Sequence, residues 1–211
     1  AGRVVDHSAT RACRRHATST SGMEIGPGIG GGVIGPGLVT EDAEAERAYL
    51  DFIEKIDPQL KPRQFALAKL YVAHPLRGQL PRPRYDMFDR DTQVTVELFR
   101  QDNVPLETEE AKLGQQYQKL TGSLTVQFRG EEKTLVQMGR YLEEPDRALR
   151  QEAWESVANR RLQERERFED FYDQLLNLRG QIAGHAGHRS YLDYVFRQRR
   201  RFDYTPADCV K

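Results

Sequence analysis

Two histidines close together in the sequence are the first residues to consider for chemistry. The chain has five histidines, and only His185 and His188 are near each other. Residues three apart on a helix share one side, so both imidazoles could bind one zinc ion. Zinc needs three or four ligands, and Glu166, Glu169 or Asp193 would have to complete the site without a known spacing. No H-E-x-x-H occurs, and we favour a helix-end histidine that interacts with the helix dipole.

Serine, cysteine and carboxylate chemistry have equally little support. No G-x-S-x-G occurs, no C-x-x-C includes Cys13 or Cys209, and Cys209 has no histidine near it in the sequence. The pair Glu131-Glu132 falls in a predicted turn and Glu143-Glu144 precedes a proline, where solvation accounts for both. We therefore predict no catalytic, metal-binding or cofactor-binding residue in this chain.

A basic run near the end of the chain is a candidate for nucleic-acid binding. Residues 197–201 read RQRRR and lie between Phe196 and Phe202, a pattern that could grip phosphates or an RNA strand. The chain as a whole has 32 basic and 32 acidic residues, and Asp193 and Asp203 flank the run. A structural helix face is the interpretation we favour, so no nucleic-acid partner is expected.

The first forty residues differ in composition from the rest. Residues 1–22 are rich in Arg, Ala, Ser and Thr, like an organellar transit peptide. Met23 offers a second start, and we favour translated upstream sequence or a tag, so that these residues are not native. Residues 25–38 contain seven glycines and two prolines, which predicts a disordered linker. A formal G-x-G-x-x-G at Gly30 lacks the strand and helix that dinucleotide binding requires. We predict a disordered leader and linker over residues 1–40.

The remaining residues, 41–211, have the composition of amphipathic helices. Hydrophobic residues make up 38% of the chain and charged residues 30%. The longest apolar run is far shorter than the roughly 18 residues that a membrane span needs, so we predict no membrane partner and a cytoplasmic location.

Apolar spacing predicts two helices in the first part of this region. One begins at a Thr40 cap, presents an apolar face that includes Ile53, and ends at Asp57-Pro58. A second starts near Pro62 and ends at His74-Pro75. Its predicted core residues are Phe65, Leu67, Leu70 and Tyr71. Pro81 and Pro83 then predict a loop.

Further helices and one hairpin are predicted beyond this loop. Residues 85–101 fit a strand or a helix, and Pro105 introduces a helix that ends at Gly122. Residues 123–138 alternate as a hairpin does, with a turn at 129–132 and a return strand at 134–136. A long helix follows from Asp146 to about Ala183, and another starts at Tyr191.

The order of these elements matches a known family. The segment LTGSLTVQFRGEEKTLVQM, which follows Tyr117, and DRALRQEAWE at 146–155 resemble oligoendopeptidase F-type proteins of the thimet oligopeptidase-like zinc metallopeptidase family. The passage from Arg179 to Tyr204 is similar to a series of motifs in the family: R-x-x-I-A, then a glycine, then Y-x-D-Y and R-x-D-Y. This resemblance covers residues 42–211 and favours a helix at 85–101.

The resemblance implies a mainly α fold: a multi-helix lobe with one small β-hairpin, the N-terminal part of a larger helical zincin-type peptidase. It implies a zinc cofactor in the parent protein, held by H-E-x-x-H and a further glutamate, and short peptides as substrates. None of these ligands is present, so we expect the natural chain to continue past Lys211 and this fragment to be inactive and bind no zinc. The alternative is a stand-alone helical module that binds a protein partner.

Overall fold

Eight α-helices and one antiparallel hairpin make up the part of the chain that the computed structural model describes, residues 43–82 and 84–210. The helices are α1 (Ala43–Asp51), α2 (Asp57–Ala73), α3 (Asp86–Leu98), α4 (Asn103–Gly122), α5 (Leu135–Met138), α6 (Arg147–Gln163), α7 (Arg165–His185) and α8 (Tyr191–Gln198). The strands are β1 (Thr125–Phe128) and β2 (Glu131–Thr134). The prediction of a mainly α fold with one small hairpin is confirmed. The predictions for residues 1–42, Pro83 and Lys211 lie outside the described residues.

The predicted helix end at Asp57-Pro58 is wrong. A π-helical turn, Phe52–Ile56, joins α1 directly to α2, and the Asp57 N–H bonds to the Phe52 carbonyl. Pro58 falls in the first turn of α2, where its missing N–H removes no bond that the helix needs. The second predicted helix therefore starts at Asp57 rather than Pro62, and its end before His74 is confirmed.

Two of the four predicted core residues of α2 face outward. Leu67 and Leu70 are 67% and 69% exposed, whereas Ala68 is buried. Phe65 stacks on Phe99 with ring centroids 4.2 Å apart, and Tyr71 contacts Phe88 edge-on. The inward face of α2 thus follows positions 65, 68 and 71, and the two leucines fall on the other side.

Residues 85–101, which fit a strand or a helix in the sequence, contain helix α3, and α4 follows it. The prediction of a helix at 85–101 is confirmed, because α3 covers Asp86–Leu98. Helix α4 begins at Asn103, two residues before Pro105. Pro105 lies in the first turn of this helix, where a proline displaces no intrahelical bond. Its end at Gly122 agrees with the prediction.

The hairpin is tighter than the sequence predicts. Thr125 pairs with Thr134 and Phe128 with Glu131, so only Arg129 and Gly130 form the turn. Both have positive φ, 54° and 83°, as a two-residue type I′ turn requires. The predicted return strand at 134–136 is wrong. Thr134 ends β2 and caps α5 through a capping box with Gln137.

Helices α6 and α7 replace the single long helix predicted after Asp146. Glu164 leaves the helical conformation between them and accepts bonds from Arg160 and Arg167. Helix α7 packs against α4, where Phe168 and Phe171 contact Tyr117. Within the described ranges, no helix is long and apolar enough to cross a membrane.

Two separate groups of buried side chains stabilise these elements. The helical core lies between α3, α7 and α8 and contains Val94, Leu98, Ile182, Ala183, Ala186 and Tyr194. The hairpin core lies between the hairpin, α5 and α6 and contains Val126, Phe128, Met138 and Ala153. Burial of apolar surface in each core contributes roughly 25 cal/mol per Å² to folding.

Candidate functional site

The two histidines considered for zinc have structural partners. His185, in the last turn of α7, has Nδ1 2.7 Å from Asn103 Oδ1. Asn103 is buried and its amide nitrogen donates to the Ile182 carbonyl at 3.0 Å, so its oxygen accepts a hydrogen from His185. The His188 ring packs edge-on against Tyr194, with centroids 5.7 Å apart. Both imidazoles thus help to fix the end of α7.

The backbone around these histidines explains how α7 ends. Gly187 has a φ of 84°, and the His188 N–H donates to the Ala183 carbonyl while the Gly187 N–H donates to the Gly184 carbonyl. This pair of bonds is the Schellman motif, for which a glycine with positive φ is the favoured residue. Gly187 is thus the residue that ends α7.

The described residues do not fit a zinc site. Across residues 43–82 and 84–210, no group of three or more His, Cys, Asp and Glu side chains is placed to hold a metal ion. His185 uses its Nδ1 for Asn103, and His188 lies against an aromatic ring. A zinc ion needs three or four ligands, so this pair alone does not provide a site.

Replacing Asn103 by alanine should lower the free energy of unfolding by about 2 kcal/mol, because a buried carbonyl and an imidazole both lose their partner. Urea denaturation measures the change. The matched control is Asn177→Ala on α7, where an exposed amide that accepts only from Gln181 is lost. The control should change the free energy of unfolding by less than about 0.5 kcal/mol. Equal effects would show that Asn103 does not hold the end of α7.

The basic run joins α8 to α3. Arg197 binds Glu97 through two nitrogens, and Arg200 binds Asp91 and, at 2.9 Å, Thr95 Oγ1. Ion pairs within the fold occupy these two arginines, as the structural interpretation of the run expects. The absence of a nucleic-acid partner stays a prediction.

An open groove of about 680 Å³ lies between α3, α8 and the residues that follow α8. The guanidinium of Arg90 lies 4.1 Å from the centre of the Phe202 ring, and Arg201 covers Tyr204 at 5.6 Å. Phe196 meets Tyr204 edge-on with centroids 5.8 Å apart. The groove therefore offers aromatic faces and charges of both signs.

A buried carboxylate that the sequence did not reveal connects α2, α3 and the loop between them. Asp89 is 3% exposed and accepts hydrogen bonds from Arg77, Arg82, Tyr71 and Gln93. The hydrogen bonds from Arg77 are the largest influence that holds the pKa of Asp89 far below its ordinary value. Because every bond goes to a residue of the fold, this carboxylate is structural.

Comparison with known proteins places this fold among helical peptidases. No family model and no curated protein matches the chain. A solved oligoendopeptidase F has 26% identity and a TM-score of 0.74, and PZ peptidase A, solved with an inhibitor, has 28% identity and the same TM-score. Both matches cover 80% of this chain and 30% of the other.

A third match, an oligoendopeptidase F from Bacillus anthracis str. Ames, has 23% identity and a TM-score of 0.73, and supports the fold alone. The resemblance to oligoendopeptidase F-type proteins is confirmed at the level of fold and of aligned sequence. The chain spans about a third of the length of these proteins.

Proposed function

We propose that this chain is the front lobe of a zinc-dependent oligopeptidase that hydrolyses short peptides. The observation that supports this most directly is the likeness to two solved peptidases at 26% and 28% identity over 80% of the chain. The covered fraction of those proteins, 30%, leaves room for a metal-binding part outside this chain. In this proposal, H-E-x-x-H and a further glutamate in that part hold the zinc ion.

The role of this lobe would be to form one wall of the substrate channel. The described residues offer grooves with aromatic and charged side chains and no group of three or more His, Cys, Asp and Glu placed to hold a metal ion. A channel wall contributes by its shape, because it decides which peptides reach the metal, and an open groove suits an extended chain better than a folded protein.

Exposed apolar side chains support a lobe that packs against further protein. Leu67 and Leu70 of α2, Phe88 of α3 and Leu176 of α7 are each at least half exposed. Side chains of this size on the surface indicate contact with another protein surface when they form a patch. A stand-alone interaction module would also explain them, and it remains the second candidate.

The test compares this chain with a longer protein that includes the adjoining downstream sequence. We expect the longer protein to bind one zinc ion and to cleave a fluorogenic peptide, and this chain alone to do neither, because its described residues lack the ligands. Elemental analysis and a cleavage assay measure both properties.

Two results would contradict the proposal. One is adjoining sequence without an H-E-x-x-H, which would favour the interaction module. The other is one zinc ion per chain in this fragment, lost when His185 and His188 are replaced, which would place the metal here.

A further inference from the structure

The outer face of α6 carries a second groove, of about 560 Å³, called here the α6 groove. Its lining residues on the helix are Arg147, Arg150, Gln151, Trp154 and Glu155, and Leu142 closes one side. These helical positions have spacings of three and four and so form one stripe. Trp154 is 62% exposed and Leu142 45% exposed. A large apolar surface therefore lies open beside charged groups.

The two arginines of the α6 groove differ in their partners. Arg150 donates to the carbonyls of Glu144 at 2.6 Å and Pro145 at 2.9 Å. Gln151 donates to Glu155 at 2.8 Å, so that carboxylate has a partner. Arg147 is exposed, and its side chain forms no hydrogen bond or ion pair with the described residues.

The start of α6 adds to the positive potential around Arg147. Arg147 is the first residue of this 17-residue helix, whose N-terminal end carries the positive end of the dipole. The Asp146 carboxylate accepts from the Ala148 N–H at 2.9 Å, which directs it toward the helix end and partly offsets this potential. An anion beside Arg147 would meet a guanidinium that can bind a carboxylate through two nitrogens.

We propose that the α6 groove binds the carboxyl-terminal end of a short peptide. The terminal carboxylate binds Arg147, and the last apolar side chain lies against Trp154 and Leu142. Arg147 and Trp154 are two helical turns apart, about 10 Å along the axis, which matches roughly three extended residues. That the peptide is a substrate rests on the proposed function.

Charge complementarity and the exposed indole favour this ligand over others. A small inorganic anion would bind Arg147 and leave Trp154 exposed to water. An uncharged apolar surface would cover Trp154 and leave Arg147 buried without a partner, which is unfavourable. A peptide end carries a carboxylate and, within three residues of it, an apolar side chain, so it satisfies both groups together.

Trp154 is the one tryptophan in the sequence, so its fluorescence reports on the α6 groove directly. The tripeptide Leu-Ala-Ala with a free carboxylate should shift the emission of the full chain to shorter wavelength in a saturable way, because its apolar side chain lies three residues from the charged end. The same tripeptide with an amidated end should bind at least about five-fold more weakly, because it lacks the charge for Arg147. Fluorescence titration of both peptides measures the ratio.

The matched variants are Arg147→Gln and Arg161→Gln, two exposed arginines of α6, of which only Arg147 lines the groove. Arg147→Gln should weaken the free-carboxylate peptide at least about five-fold and leave the amidated peptide unchanged. Arg161→Gln should change neither. Circular dichroism of both variants verifies that the helix content is kept.

Three outcomes would overturn the inference: equal binding of the two peptides, no saturable shift with either, or an emission change with protein concentration alone. The last would assign the groove to a second copy of the chain. These outcomes are separate from the proposed function, because a longer protein that cleaves peptides can still lack this subsite. Equally, carboxylate-dependent binding can occur in a chain with no metal site downstream.

Discussion

Replacing Asp89 by asparagine is expected to lower the free energy of unfolding by about 3 kcal/mol. Asp89 Oδ1 lies 2.5 Å from Arg77 Nε and Oδ2 lies 3.1 Å from Arg82 Nη2, and the carboxylate itself is 4% exposed. Loss of one partner of a buried ion pair costs about 3 to 5 kcal/mol. The lower end applies because the side chains of Arg77 and Arg82 are 23% and 47% exposed and can be hydrated. Chemical denaturation at pH 7 measures the difference.

Asp86→Asn is the matched control, one turn earlier on α3. Asp86 pairs with Arg82 at 2.6 Å and with Arg90 at 3.8 Å, and its side chain is 41% exposed. Exposed ion pairs contribute about 0 to 1 kcal/mol, so the control should lose less than about 1 kcal/mol. If both substitutions had the same effect, burial of Asp89 would not be what makes its ion pairs important.

The effect of the Asp89 substitution should also depend on pH. Hydrogen bonds from Arg77 lower the pKa of Asp89 in the folded chain well below its unfolded value, which is near 4. Because its pKa is lower in the folded chain, ionised Asp89 stabilises the fold fully above about pH 5. This stabilisation is lost as the pH falls below about 4 and the carboxylate of the unfolded chain takes up a proton. The difference between the parent chain and Asp89→Asn should therefore shrink in acid. A difference that stays constant from pH 7 to pH 3 would contradict this account.

The Asp89 network also shows what the sequence could not reveal. The spacing of Arg77, Arg82 and Asp89 has no helical or strand period, because both arginines lie in the loop between α2 and α3, which includes the 3-10 turn Arg77–Gln79. Asp89 falls in the first turn of α3, where an acidic residue is ordinary on dipole grounds alone. Only the fold of the loop brings both arginines to one carboxylate.

Elements whose signal is local were predicted well. The strand β1 alternates buried and exposed residues, and Arg129-Gly130 supports a tight turn, so the hairpin was located within a few residues. The helix end at His74-Pro75 follows from the restricted backbone before proline. The errors occur where tertiary packing overrides a local rule.

The continuous passage from α1 to α2 is the clearest such error. Asp57-Pro58 is an ordinary helix stop in a sequence, and the chain passes it through the π-helical turn Phe52–Ile56. The widened turn lets the Asp57 N–H reach the Phe52 carbonyl, five residues back. Burial of Ile53 within this turn accompanies the change, and no local propensity encodes it.

The candidate site could be predicted only in part. Sequence reasoning identified the arginine run, but it did not show that Arg197 and Arg200 pair with α3 residues 100 and 109 positions away. It also gave no sign of the α6 groove, because Trp154 could equally have faced the hairpin core. The neighbouring Ala153 occupies that inward position, and this places the indole on the outer face.

Replacing Phe128 by alanine should have the largest effect of all, about 4 kcal/mol of unfolding free energy. Phe128 is 2% exposed, and its ring lies 4.9 Å from that of Tyr141 within the hairpin core. Removal of a buried aromatic ring costs about 3 to 5 kcal/mol because the cavity collapses only partly. Val136→Ala, at a side chain 89% exposed in α5, is the control and should cost less than about 0.5 kcal/mol.

The distribution of the Phe128 effect along the chain tests the separation of the two cores. Helix α6 packs mainly on β1, α5 and the 3-10 turn Gly139–Glu143, whereas α7 packs mainly on α4 and α8. Hydrogen exchange in Phe128→Ala should therefore accelerate first in the hairpin and α6, while amides of α7 keep most of their protection. Uniform acceleration in α6 and α7 would instead show that the two cores unfold as one cooperative unit, because loss of either would then expose both.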